Sequence, residues 1–144
     1  MQIISDDILT ITKGVICHQV NCMGKMGSGI ALAIRNKWPQ VYDDYMEAYN
    51  AGQLKLGRVI FTPVISERLI VASLCGQYRY GRGKCYTDYD AVKVCLVKIL
   101  NRYYDMPIYI PYKMSCGLAG GNWNIVSDTI NSIIPHAIIV HYGG

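Results

Sequence analysis

Apolar residues along this chain fall into short unbroken runs separated by longer stretches in which they recur at helical spacing. The runs Val15 to Val20, Arg58 to Val64, Leu69 to Leu74, Ile108 to Pro111 and Ala137 to Tyr142 read as buried strands, and Gln2 to Ile4 as a short edge strand leading into Asp6-Asp7-Ile8-Leu9. Helical spacing predicts Gly29 to Lys37, which Pro39 limits, and Val41 to Ala51, with Gly52 as its stop. A long helix follows Thr87 or Asp88 as cap, because Ala91, Val92, Cys95, Leu96 and Ile99 share a face, and Pro107 closes it. A last helix spans Asn122 to Ile134, ended by Pro135. Between the Leu69 to Leu74 run and the long helix lies an extended loop, Cys75 to Tyr86.

Strands alternating with helices imply an α/β chain, a three-layer α/β/α sandwich that seats its ligands at the carboxyl ends of the strands. With 144 residues and no repeat, linker or low-complexity segment, residues 1–144 are expected to form a single domain. The first residues lack a basic and an apolar signal region, and no run approaches a membrane span, so the expectation is a cytoplasmic protein without membrane contact.

Composition changes this picture little. A net charge of +4 without any run of like charge suits an anionic small molecule as well as a weak nucleic-acid contact. Six cysteines are present, but no C-x-x-C pair, so they read as reduced thiols, with Cys116 the one expected to be exposed. Cys17, His18 and Cys22 lack a second ligand pair close in sequence; no metal and no cofactor is expected. Twelve tyrosines stand against one phenylalanine. Tyr78, Tyr80 and Tyr86, interleaved with Arg79, Arg82 and Lys84, suit stacking on single-stranded nucleic acid, or else form a mobile, solvated loop beside the ligand cleft, which is the reading preferred from sequence.

Candidate chemistry concentrates where the Val15 to Val20 strand breaks into Asn21-Cys22-Met23-Gly24-Lys25-Met26-Gly27-Ser28-Gly29-Ile30. Glycines between a strand and a helix start let main-chain N–H groups approach a phosphate. Gly24-x-x-Gly27-x-Gly29 is neither the G-x-G-x-x-G of dinucleotide folds nor a Walker A loop, since no Gly-Lys-Ser/Thr ends it. His18 and Asn21 are the polar residues expected to point at a ligand on this loop. A second glycine loop, Ser115-Cys116-Gly117-Leu118-Ala119-Gly120-Gly121, follows the Ile108 to Pro111 strand. Two such loops can clamp one pyrophosphate between them.

Taken together, Ile16 to Ile34 and Pro111 to Trp123 resemble the macrodomain family, closest to the small stand-alone branch that processes ADP-ribose 1″-phosphate and removes ADP-ribose from carboxylates. The resemblance covers Asp7 to about Tyr142 and implies a mixed, mainly parallel sheet. It further implies that Asp7 and the Ile8 backbone read adenine, that Gly24 to Ile30, with Lys25, Met26 and Ser28, wrap the distal ribose and one side of the diphosphate, and that Ser115 to Gly121 cradle the other side. Asn21 would hold the distal ribose hydroxyls, His141 or Tyr142 would pack on adenine, and His18 would orient or deprotonate water. The family glycine before Asp7 is Asp6 here, the lysine of carboxylate-directed members is absent from Ala72 to Gln77, and the acid of one subgroup is replaced by Ala119. The expected activity is therefore a phosphatase acting on ADP-ribose 1″-phosphate. A de-ADP-ribosylating hydrolase, an O-acetyl-ADP-ribose deacetylase and a non-catalytic ADP-ribose reader are the alternatives. The expected partners are ADP-ribose or ADP-ribose 1″-phosphate and ADP-ribosylated macromolecules, bound by a monomer.

Overall fold

A computed structural model describes residues 1–142. Six strands, β1 (Gln2–Ser5), β2 (Gly14–Val20), β3 (Val59–Ile65), β4 (Leu69–Cys75), β5 (Ile108–Pro111) and β6 (Ile138–His141), form one sheet in the order β1-β6-β5-β2-β4-β3. The pairings β1/β6, β6/β5, β5/β2 and β2/β4 are parallel, and only β3 runs antiparallel, against β4. Five carboxyl ends therefore lie along the same edge of the sheet, and their following loops must meet there.

The strand period of two sorts the apolar residues onto two faces. Val15 and Cys17 of β2, with Ile70, Ala72 and Leu74 of β4, pack beneath α3 (Tyr89–Arg102) and α4 (Trp123–Ile133) through Val92, Leu96, Ile99, Val126 and Ile130. Ile16 and Val20, with Val71 and Cys75, pack beneath α1 (Gly29–Lys37) and α2 (Pro39–Asn50) through Ile34, Val41, Tyr45 and Ala48. Each fully buried leucine or isoleucine contributes about 1.5–3 kcal/mol by leaving water, which is why both faces of β2 and β4 read as continuous apolar runs.

Pro39 does more than limit α1: it is the first residue of α2, where its missing N–H would have no intrahelical partner. The long helix α3 starts at the cap Asp88, whose carboxylate accepts from Ala91 N, and ends at Arg102, ahead of Pro107. Tyr103 leaves the helical path and sets its ring edge-on against Phe61, 5.4 Å between centroids. No helix among the described residues is long and apolar enough to cross a membrane.

Candidate functional site

Over the ends of β2, β4 and β5, three loops enclose a cleft of about 720 Å³. Its lining carries three cations, Lys25, Arg82 and Lys113, and no aspartate, glutamate or histidine. A concave surface with that balance favours an anionic occupant.

The β2 loop is held in shape by Asn21. Its Oδ1 accepts from Met23 N at 2.9 Å, from the Tyr45 hydroxyl at 3.0 Å and, more loosely, from Lys25 N at 3.4 Å, while Nδ2 donates to Lys25 O at 2.8 Å. The amide is thus committed to the loop except for one N–H, which is left to donate to a ligand. Gly24 and Gly29 take positive φ angles of 76° and 58°, turning the chain back over the strand end. Ser28 stands at the N-cap of α1 without donating or accepting a side-chain cap bond. Among the described residues, the amides of Met26, Gly27 and Ser28 donate to no protein acceptor, so they and the uncapped first turn of α1 present open donors along the cleft.

The β5 loop is more strained. Lys113 and Ser115 adopt φ angles of 60° and 72°, a conformation that costs a non-glycine residue roughly 1–3 kcal/mol. It is held there by Met114 N to Pro111 O, Cys116 N to Lys113 O and Gly121 N to Ser115 O, at 2.9, 3.0 and 2.9 Å. A Cβ on Gly121 would overlap the Ser115 carbonyl oxygen, and one on Gly120 the Lys84 carbonyl oxygen. Among the described residues, the amides of Gly117, Leu118 and Ala119 again have no protein acceptor. The start of α4, in contrast to that of α1, is closed by Asn122, which accepts from Asn124 N.

Beneath the cleft a polar network joins the end of β2 to the loops after β4 and β5. Ser115 Oγ donates to Gln19 Oε1 at 2.5 Å, and Gln19 Nε2 donates to Gln77 Oε1 at 2.9 Å and to Thr87 Oγ1 at 3.0 Å. Thr87 Oγ1 in turn donates to Ser115 O at 2.7 Å. A Cβ on Gly76 would overlap Gln19 Oε1, so that glycine is what lets the Gln19 amide lie against the end of β4.

The sequence-derived candidates separate into three groups. Asn21, Lys25, Met26, Gly27, Ser28, Gly29, Ile30, Ser115, Cys116, Gly117, Leu118 and Ala119 line the cleft together. Gly24, Gly120 and Gly121 shape the loops without lining it. Asp7, Ile8, His141 and Tyr142 are outside the lining, at the ends of β1 and β6. Asp7 caps the short 3-10 turn Ile8–Thr10 by accepting from Leu9 N, Ile8 is buried, and Tyr142 is exposed. The His141 ring packs on the cleft residue Tyr112, with centroids 4.4 Å apart.

His18 corrects the expectation of a catalytic imidazole at the ligand. It is 0% exposed, on the β2 face that packs beneath α1 and α2, and forms no part of the cleft wall. Its Nε2 lies 2.7 Å from Ser73 Oγ and its Nδ1 has no partner. Burial drives its pKa down to about 3, so the ring is neutral and out of reach of water. The neighbour one position on, Gln19, points to the opposite face and reaches the site. Sequence reasoning passed over Gln19 and, with it, Gln77 and Tyr112; the one available signal was that Gln19, like His18, interrupts an apolar run. The exposed thiol is Cys85, while Cys116 is half-buried with its pKa raised by burial. Among the described residues no group of three or more His, Cys, Asp or Glu side chains is placed to hold a metal ion.

A six-stranded mixed sheet between two helix pairs, with two glycine loops at the ends of adjacent parallel strands, is the macrodomain architecture. A macrodomain protein of Streptomyces coelicolor superposes with a TM-score of 0.77 at 25% identity, covering 99% of this chain and 98% of that one. This chain has the macrodomain fold. No protein-family model matches it. Among curated proteins it is 33% identical over 130 residues to a DNA ADP-ribosyl glycohydrolase of Mycobacterium tuberculosis, spanning 89% of this chain and 37% of that protein's length. The fold is shared with Thermosipho africanus DarTG, solved in complex with ADP-ribose, at a TM-score of 0.78 and 15% identity, over 98% of this chain and 41% of that one.

Proposed function

We propose that the cleft binds an ADP-ribose unit and that the protein hydrolyses the bond between the distal ribose and an attached nucleobase, releasing ADP-ribose from modified DNA. The observation that carries this reading is the facing pair of loops with open amides, Met26 to Ser28 and Gly117 to Ala119, in a cleft whose charged residues are all cations. A diphosphate suits the space between the loops, because amide donors and cations both act on its oxygens. The DNA-directed chemistry rests on the relative that is named for it.

In this reading the remaining N–H of Asn21 holds the distal ribose, and water attacks its anomeric carbon as the bond to the base breaks and the base takes up a proton. Gln77 stands at the strand end where carboxylate-directed relatives were expected to carry a lysine. Its Oε1 accepts from Gln19 and its Nε2 donates to Arg79 O at 2.9 Å. An amide fixed in this way positions water; it has no covalent nucleophile to offer.

A second reading, dephosphorylation of ADP-ribose 1″-phosphate, draws on the same absence of carboxylates from the lining, since an added phosphate would meet Arg82 or Lys25 without repulsion. Both readings use the same seat for ADP-ribose, so one experiment separates them. Purified protein and Asn21→Ala are given an ADP-ribosylated single-stranded oligonucleotide and, separately, ADP-ribose 1″-phosphate. Release of ADP-ribose from the oligonucleotide, lost in the variant, is the expected result. Phosphate release alone would favour the second reading, and tight ADP-ribose binding without turnover of either would leave a reader.

A further inference from the structure

The proposed reading leaves open what meets the group attached to the distal ribose, and the strand order answers it in part. Along the carboxyl edge the loops succeed one another as β1, β6, β5, β2 and β4. If adenine lies toward β1 and β6, the diphosphate between the β5 and β2 loops, and the distal ribose against the β2 loop, the next surface is the loop from β4 to α3. We infer, resting on that reading, that this loop is a docking surface for single-stranded nucleic acid and seats the strand flanking the modified nucleotide.

The loop has the composition such a partner needs. Tyr78 and Tyr80 are 49% and 54% exposed, and Arg79, Arg82 and Lys84 are exposed beside them. No acidic residue occurs from Gly76 to Thr87, and the next, Asp88, has its carboxylate engaged in capping α3. Tyr80 and Arg82 line the ADP-ribose cleft itself. A second cavity of about 450 Å³ adjoins it, sharing Arg82, Gly117 and Leu118 and lined further by Lys84. A backbone phosphate leaving the first cleft would thus find a second cationic recess next to it.

The loop is largely exposed between Tyr78 and Cys85, as the sequence suggested, and is anchored at its two ends. Tyr78 O accepts from Cys22 N at 3.0 Å, Arg79 O from Gln77 Nε2 at 2.9 Å, and Ala119 O from Tyr86 N and Thr87 N at 2.7 and 3.2 Å. Gln77 and Thr87 form a bridge across its base. The main chain pinned at Tyr78 presents that exposed ring with little ordering left to do on binding. Stacking on tyrosine requires an unpaired base face, which a duplex hides and a single strand offers.

The test uses the side chains that lie outside the ADP-ribose cleft. Binding of an unmodified 12-nucleotide thymidine strand is measured by fluorescence anisotropy across a salt series, for the wild type, Tyr78→Ala/Arg79→Ala/Lys84→Ala, and the charge-only pair Arg79→Gln/Lys84→Gln. ADP-ribose affinity, measured by calorimetry, reports that each variant is folded. Loss of one stacked base lowers affinity roughly 5- to 150-fold, and loss of two phosphate contacts lowers the salt slope by about 1.4. The triple variant is expected to lose affinity at every salt concentration, and the charge pair only the salt-dependent part, its affinity approaching the wild type's as salt nears about 1 M, each with unchanged ADP-ribose affinity. Strand binding equal to wild type in the triple variant, equal binding of a duplex, or no strand binding by the wild type at low salt would overturn the inference. Failure to turn over an ADP-ribosylated strand that still binds through Tyr78 would instead overturn the hydrolase reading and leave the docking surface standing.

Discussion

The buried imidazole of His18 makes acid stability a quantitative test of its placement. With no solvent exposure and one partner, Ser73 Oγ, the ring is held neutral, its pKa pushed down by burial to about 3. In the unfolded chain the same group titrates near 6.5. Between these values the unfolded state holds a proton that the folded state refuses, so stability is lost as pH falls from about 6.5 toward 3. At pH 5.0 the unfolded group is about 97% protonated, and the cost is about 2 kcal/mol, against almost none at pH 7.5. For a chain of this size that corresponds to a loss of roughly 4–8 °C in melting temperature. His18→Gln replaces the ring with a side chain that bonds to Ser73 and does not titrate. Urea unfolding of both proteins at pH 7.5 and 5.0 isolates the effect as a double difference, with the wild type losing about 2 kcal/mol more than the variant. Parallel profiles within about 0.5 kcal/mol would show that the ring is protonated in the fold. The same variant should keep wild-type ADP-ribose affinity. A hundredfold loss of turnover at unchanged melting temperature would place His18 at the reacting centre and refute the argument from burial.

Three further outcomes follow from the loops. Asn21→Ala leaves Met23 N and Lys25 O unmatched, and should lower stability by about 1–3 kcal/mol and ADP-ribose affinity by tenfold or more, read by thermal shift and calorimetry. At Gly27 a Cβ meets nothing within 4 Å and lies on the cleft lining, so Gly27→Val should change stability by less than about 0.5 kcal/mol while reducing ADP-ribose binding sharply. Free ADP-ribose at a hundredfold its dissociation constant should stabilise the wild type by about 2.7 kcal/mol, whereas equal shifts with ADP and unrelated anions would remove the two-loop clamp.

The apolar pattern by itself determined the order of strands and helices, because burying both faces of β2 and β4 demands unbroken apolar runs and the amphipathic helices demand helical spacing. Glycine chemistry likewise marked both loops, which line the cleft at Gly27 and Gly117. What the sequence left undetermined was the direction of single side chains. His18 and Gln19 are adjacent polar residues in one strand, and a period of two guarantees that only one of them faces the site. The choice belongs to the packing: α1 and α2 cover the His18 face, while Gln19 reaches the gap where the loops after β4 and β5 meet. The polar floor was hidden for the same reason, being assembled from Gln19, Gln77, Thr87 and Ser115, as many as 96 positions apart. Only the tertiary structure brings such residues within hydrogen-bonding distance, and the parallel order of β5, β2 and β4 is what does so.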